Sequence, residues 1–326
     1  MIISVCMGIY NGEKYIEQQL ISLLEQTRAV DEVILCDDGS EDNTVDIVER
    51  FIRDNKREGC WKLYQNLERK GYPANFYYAM SLCAGDVVFL ADQDDVWSVN
   101  KISKMCDVFA GHPEVKSVCC KFGLIDAKGQ KIRSIMTPTW SRESGQIRNV
   151  TIDDVFYKCE WPGMVMAYRR EWYKQKIIKW NREGSKLYEM NIPHDFLVAA
   201  WAAEDKGFFQ LDVELAWHRR HENNTGEEEQ RITKLINKER KVKEIKTYLQ
   251  YLELFKTYNV LQTECGKRAL NHKYFMMKGR LEVLLSGRIW LSIKNVWKNR
   301  KGTRFVTAIC DILITQTSHM IFTYAP

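Results

Sequence analysis

Short apolar runs alternate with amphipathic stretches through the first third of the chain. Residues 2–8 predict a strand of small and β-branched residues, and 32–36, 61–64 and 86–91 predict three more. Between them, 13–26 sets Tyr15, Ile16, Leu20, Leu23 and Leu24 at helical spacing. Residues 43–55 do the same with Val45, Ile47, Val48, Phe51 and Ile52, and 75–83 predict a third helix. Strict alternation of this kind specifies an α/β fold: a mostly parallel sheet with helices on both faces.

Further on the pattern is less regular. Residues 115–156 are mixed, with a hairpin turn expected at Lys128-Gly129. Residues 161–168 combine a turn with a strand. Ile192-Pro193-His194-Asp195 opens a helix over 196–203, with Asp195 near its N-cap, and 208–215 form another strand. From Gly226 the character changes to a long charged helix, 227–258, and a second helical stretch from Gly266. The expected division is an α/β domain over 1–225 and a helical C-terminal region over 226–326.

Ligands in open α/β sheets bind at the carboxyl ends of the strands. Two acid clusters fall there. Asp37-Asp38-Gly39-Ser40 ends the second strand, and Asp92-Gln93-Asp94-Asp95 ends the fourth. Crowded carboxylates repel, and burying them is costly unless a cation or donors compensate. Mg²⁺ or Mn²⁺ is the simplest compensation, because both take carboxylate oxygens together with substrate phosphates. A solvated Asp-rich turn is the plainer reading of either cluster taken alone.

Composition sets the frame for this chemistry. Hydrophobic content of 45% with 28% charged residues belongs to a folded globular chain, and 326 residues can bury a sizeable core. Ten cysteines are scattered without metal-ligand spacing, which predicts reduced thiols in a cytosolic setting. The opening residues lack a basic flank and do not read as a signal peptide. Neither GxGxxG nor GxxxxGK[ST] occurs, against dinucleotide and P-loop chemistry, and GxSxG is absent too.

In order along the chain stand Tyr10-Asn11-Gly12, Asp37-Asp38-Gly39-Ser40, Asn75-Phe76, Asp92-Gln93-Asp94-Asp95-Val96-Trp97, Pro162-Gly163, His194-Asp195 and His221-Glu222-Asn223-Asn224. This ordered set resembles the family 2 glycosyltransferases, which have the GT-A fold. Asp-Gln-Asp-Asp-Val-Trp is closest in style to the bacterial polysaccharide branch that includes rhamnosyltransferases. The resemblance covers residues 1 to about 225.

The resemblance implies roles. Asp92 to Asp94 matches the DXD motif, with Asp94 on a divalent metal, Mg or Mn, and Asp92 on the metal's water shell or the ribose. Asp37 or Asp38 contacts the base or ribose of a nucleoside-diphosphate sugar, and Tyr10, Asn11, Asn75, Gln93 and Trp97 belong to the same nucleotide-sugar site. Asp195 is the catalytic base of an inverting transfer, beside the acceptor hydroxyl. The family usually has an acid where this chain has His194. His221 is a candidate third metal ligand, and a surface histidine is the plainer reading. Arg219 and Arg220 are candidates to clamp the diphosphate. Trp161, Gly163 and His194 are placed at the acceptor or sugar wall, with core packing the commoner use of a tryptophan.

The implied activity is transfer of a sugar, from dTDP-rhamnose or a UDP-sugar, to a hydroxyl of a cell-surface polysaccharide or lipid-linked oligosaccharide. A sugar-nucleotide nucleotidyltransferase is the alternative enzyme, and Tyr10-Asn11-Gly12-Glu13-Lys14 matches its Gly-rich loop poorly. A non-catalytic assembly subunit is the third reading.

Charge adds a partner. Residues 266–304 hold eleven Lys/Arg against the single acid Glu282, a net of +10 in a chain whose total is +5. Over 288–300, Ile289, Trp290, Ile293, Val296 and Trp297 share one helical face, a pattern suited to an anionic membrane surface. A helix packed on the catalytic domain with a solvated basic face is the bland alternative. The expected location is cytoplasmic, peripheral at the cytoplasmic face of the membrane. No nucleic-acid motif accompanies the charge, and a homo-oligomer stays open.

Overall fold

The computed structural model describes residues 1–132, 144–158, 161–181, 192–221 and 237–288, with Asp311 and Ile314. It divides into two compact units. One is Met1–Thr151 with Glu160–Arg220, and the other is Ile152–Cys159 with His221–Pro326.

The first unit is built on one ten-stranded sheet. Its strands are β1 (Ile3–Ile9), β2 (Glu32–Asp37), β3 (Trp61–Gln65), β4 (Val87–Asp92), β5 (Val96–Trp97), β6 (Ser117–Ile125), β7 (Lys131–Ile132), β8 (Ile147–Asn149), β9 (Met166–Arg169) and β10 (Phe208–Arg219). The order is β3-β2-β1-β4-β9-β6-β10-β5, with β7 on β6 and β8 on β10. The pairs β1–β2, β1–β4, β2–β3 and β6–β10 are parallel, whereas β9 runs antiparallel to both β4 and β6. Val5, Cys6, Met7, Val33, Ile34, Leu35, Val88, Phe89 and Leu90 are fully buried. Strands covered on both faces need such unbroken apolar runs.

The helices up to residue 204 are α1 (Ile16–Leu24), α2 (Thr44–Asp54), α3 (Tyr72–Leu82), α4 (Lys101–Gly111), α5 (Ile152–Lys158), α6 (Arg170–Asn181) and α7 (His194–Glu204). Helix α4 has no counterpart among the expected elements. Its buried Ile102, Met105, Cys106, Val108 and Phe109 do follow helical spacing, but a lysine opens the run. Strand β10 extends four residues beyond the expected 208–215. Register irregularities around Glu214 re-aim it, and its pairing with Val96 and Trp97 fastens the acidic segment to its end.

Register brings the two acid clusters together. Gly8 pairs with Cys36 on one side and Asp92 on the other, and Ile9 pairs with Asp37. The clusters therefore flank the loop that leaves β1.

In the second unit, α5 accompanies the helices Lys238–Thr257 and Glu264–Ser286. Ile245, Leu252 and Phe255 are buried on the first of these long helices, and Leu270, Met276, Met277 and Leu284 on the second. Thr263 caps the second helix by accepting from the Gly266 amide, and Gly287 closes it at φ 70°. α5 groups with these helices although it lies far ahead of them in sequence, and contacts made far along the chain leave no mark in local periodicity. Residues 222–236 and 289–310, which include the start of the expected long helix and both tail tryptophans, lie outside the described residues. No helix among the described residues is long and apolar enough to cross a membrane. Eight of the cysteines lie within them, and none is disulfide-bonded.

Candidate active site

The loop after β1 is fixed to both neighbouring strand ends. Gln93 forms a two-way amide clasp with Tyr10: its Oε1 accepts from the Tyr10 amide at 2.9 Å, and its Nε2 donates to the Tyr10 carbonyl at 2.9 Å. Gly12 makes room for this side chain, because a Cβ there would lie 2.6 Å from Gln93 Oε1. Asn11, at φ 47°, donates its amide to Ser40 Oγ and accepts from the Glu41 amide.

On the β2 side, Asp37 shapes its own turn, with Oδ2 accepting from the Gly39 and Ser40 amides at 3.1 and 3.0 Å. Asp38 accepts from the Lys70 and Gly71 amides and from Asn66. Asn75 is buried, donating to the Cys36 carbonyl and accepting from Asn66. The expected role of these residues is contact with the nucleotide. In the structure each makes these bonds within the protein, at the carboxyl edge of the sheet. The Arg69 guanidinium lies 3.9 Å from the centre of the Tyr10 ring and covers one face.

The acidic segment carries the electrostatics. Burial raises the Asp92 carboxyl well above its ordinary range, and the nearby Asp95, Asp94 and Asp195 push it further, against an opposing Lys101. Asp95 is fully buried. Burial raises it too, opposed chiefly by His218, whose Nδ1 sits 2.9 Å from Asp95 Oδ1. The same oxygen accepts from the Arg219 amide, and Oδ2 has no hydrogen-bond partner among the described residues. For His218, burial works against the charged form, but the Asp95 carboxylate outweighs it and the net shift is upward.

Asp195 lies in the first turn of α7 and stands close enough to Asp92 to shift it. Its Oδ2 accepts from the Gly163 amide at 3.0 Å, and its Oδ1 from the Phe196 amide at 2.7 Å. Asp92, Asp94, Asp95 and Asp195 thus converge from two distant parts of the chain.

Several of the predicted residues are buried. Arg219 is fully buried. Its Nε donates to the Asp94 carbonyl at 2.7 Å, its Nη1 reaches the Asp126 and Ala127 carbonyls, and its Nη2 donates to Gln18. Its guanidinium braces the acidic segment from within the protein. Trp97 and Trp161 are buried: Lys101 Nζ lies 3.3 Å from the Trp97 ring centre, and Trp161 donates to Gln210. His194 is likewise fully buried, stacked on Phe76 at 3.9 Å, with neither ring nitrogen bonded. Burial lowers it to about 4, so it is a neutral packing group. Gly163 lies against it, since a Cβ there would sit 2.9 Å from His194 Nε2.

Arg220 is half-buried, and its amide donates to the Ile125 carbonyl at 2.8 Å. His221, also half-buried, begins the second unit. Among the described residues, no group of three His, Cys, Asp or Glu is arranged to hold a metal ion.

Sequence reasoning missed Lys101, His218 and Gln18. Lys101 is fully buried, and burial pulls it down to about 7 against the opposing Cys120, Asp95 and Asp92. Nothing in the sequence distinguishes it from a surface lysine at a helix start.

The comparisons agree with this architecture. The family model "Glycosyl transferase family 2" matches residues 4–175, and the chain belongs to that family. An uncharacterized glycosyltransferase of Nostoc sp. is 29% identical over 52% of this chain, and the match spans about half (52%) of that relative's length. The dTDP-rhamnosyl transferase RfbG of Shigella flexneri is 24% identical over 67% of this chain and 72% of its own. Among solved structures, S. aureus TarS 1-349 in complex with UDP aligns over 100% of this chain and 93% of that one, with a TM-score of 0.55 at 17% identity. The Pyrobaculum calidifontis mannosyltransferase PcManGT, in complex with GDP-Man and Mn²⁺, aligns over 99% and 88%, with a TM-score of 0.50 at 15% identity. These likenesses establish a GT-A fold with a helical C-terminal part.

Proposed function

We propose that this chain is an inverting, divalent-metal-dependent glycosyltransferase. It moves a sugar from a nucleoside diphosphate to a hydroxyl of a cell-surface polysaccharide or a lipid-linked oligosaccharide. The observation that carries the reading is the convergence of Asp92, Asp94 and Asp195 at the carboxyl edge of the sheet. RfbG, named for dTDP-rhamnose, supports dTDP-rhamnose as donor, and TarS bound to UDP supports a UDP-sugar.

The donor set suits a hard cation. Burial and then three neighbouring carboxylates raise Asp92, and Asp95 Oδ2 is buried without a hydrogen-bond partner among the described residues. Asp94 and Asp92 would hold Mg²⁺ or Mn²⁺, with substrate phosphates completing the shell. Bound there, the metal supplies charge neutralisation for the departing diphosphate. Asp195 takes the proton of the acceptor hydroxyl as general base. Its two amide donors fix the carboxylate's direction, so it approaches the acceptor already oriented.

The test is a panel of sugar nucleotides, dTDP-rhamnose and UDP-sugars included, offered with Mg²⁺ or Mn²⁺. Thermal stabilisation or slow hydrolysis of one donor, lost with EDTA, supports the reading. The absence of a response to every donor under both metals would sink it.

A further inference from the structure

Lys101 occupies a place that disfavours it on two counts. It is fully buried, whereas lysines ordinarily carry their ammonium out to water. It is also the first residue of α4, where the positive end of the helix dipole repels a cation. A buried ammonium persists only where its partners compensate. Here they are specific. Nζ donates to the Met164 carbonyl and lies 3.3 Å from the Trp97 ring centre. Its charge is felt by Asp92 and Asp95.

Met164 is the middle of the three-residue turn Gly163–Val165. That turn carries two backbone bonds of its own, from the Val165 amide to the Pro162 carbonyl at 3.1 Å and from the Met166 amide to the Gly163 carbonyl, and the Lys101 bond at Met164 adds a third. Its first residue donates the amide that holds Asp195 Oδ2 at 3.0 Å. Lys101 therefore touches the acid side of the site through charge and the base side through one hydrogen bond.

We infer that Lys101 is a positioning residue: by gripping the Met164 carbonyl it fixes the turn whose Gly163 amide aims Asp195, and it thereby sets the base against the acidic segment. The inference rests on the reading of Asp195 as the base. A methionine of similar length would fill the same volume beside Trp97 without burying a charge, so the ammonium serves the site rather than the core.

The experiment compares the full chain with Lys101→Met, reading amide hydrogen exchange at Gly163 together with kcat and donor KM. Exchange at Gly163 should quicken by at least ~10-fold as the turn loosens. Turnover should fall by at least ~10-fold while donor KM stays within ~3-fold, since the loss lies in orientation and not in donor contact. Lys101→Gln keeps a donor for the Met164 carbonyl without the charge, and should recover part of both losses. It also serves if Lys101→Met does not fold. Unchanged Gly163 exchange in the folded variants overturns the inference whatever the activity does. Quickened exchange with full turnover in both Lys101→Met and Asp195→Asn would instead support the positioning link and remove Asp195 from the chemistry.

Discussion

Arg219 Nε donates to the Asp94 carbonyl at 2.7 Å, and the Arg219 amide donates to Asp95 Oδ1 at 2.9 Å. One residue at the end of β10 thus holds the backbone of one acidic residue and the side chain of the next. Arg219→Lys loses the fork that also reaches Asp126, Ala127 and Gln18. It should cost about 2–4 kcal/mol in urea unfolding and lower donor affinity as the acidic segment loosens. Unchanged stability with unchanged donor binding would show that the segment holds its shape alone.

Asp94→Ala should leave the fold intact, abolish transfer and remove the metal dependence of donor binding. Calorimetric titration of the donor with and without Mn²⁺ checks this. A variant that still binds donor in an EDTA-sensitive way would take the metal away from Asp94.

Asp195→Asn should keep donor affinity and reduce turnover by at least ~10²-fold, the scale of a general base. NMR of the product should show an inverted anomeric centre. Retention at that centre would rule out the single-displacement route.

His194 gives stability a pH dependence. Its native form is neutral, with the folded value lowered to about 4 by burial. Unfolded histidine binds protons below about 6.5. The unfolded state is therefore favoured as pH falls from about 6.5 towards 4. Between about pH 7 and pH 5 this residue alone should remove about 2 kcal/mol of stability. His194→Leu should flatten that part of the profile, measured by urea unfolding at both pH values. An unaltered slope would mean that the imidazole is protonated in the native protein.

Gly163→Ala should lower both stability and turnover. The new methyl would press on an imidazole that is stacked against Phe76 and has no room to retreat. A cost of about 1–3 kcal/mol is the usual scale for overpacking. Thermal unfolding and steady-state kinetics measure the two effects separately.

Where apolar strands are buried on both faces, the sequence is easily read: β1, β2 and β4 match the predicted runs to within a residue or two. Positions at strand ends are legible for the same reason, so Asp37 and Asp92 fall at the carboxyl ends where the pattern puts them. What cannot be read is which polar side chains face inward. Arg219 and Lys101 look like solvent-facing cations in one dimension. Their burial depends on strand register and on a turn supplied by residues 163–165. The tryptophans mislead in the opposite sense, because aromatic residues near a site fill its walls from behind as readily as they face it.

The basic segment shows the same mixture of surface and interior. Arg280 forms a two-pronged ion pair with Asp311, and Lys273 is buried, 5.2 Å from the Tyr248 ring centre. Part of the formal charge is therefore taken up inside the helical unit. Anionic liposomes should still retain the full chain at low salt and release it as salt rises. A chain that stays in the supernatant at low salt would leave the charge without a membrane role.

The clasp between Gln93 and the Tyr10 backbone has a consequence for recombination. It needs a long amide at one position and a missing side chain at Gly12, far earlier in the chain. A chimaera whose crossover falls between these positions inherits each half from a different parent. Such a hybrid keeps the joint only if the two parents agree at both positions. Crossovers placed after Trp97 avoid the conflict, so libraries built there should yield folded N-terminal halves more often.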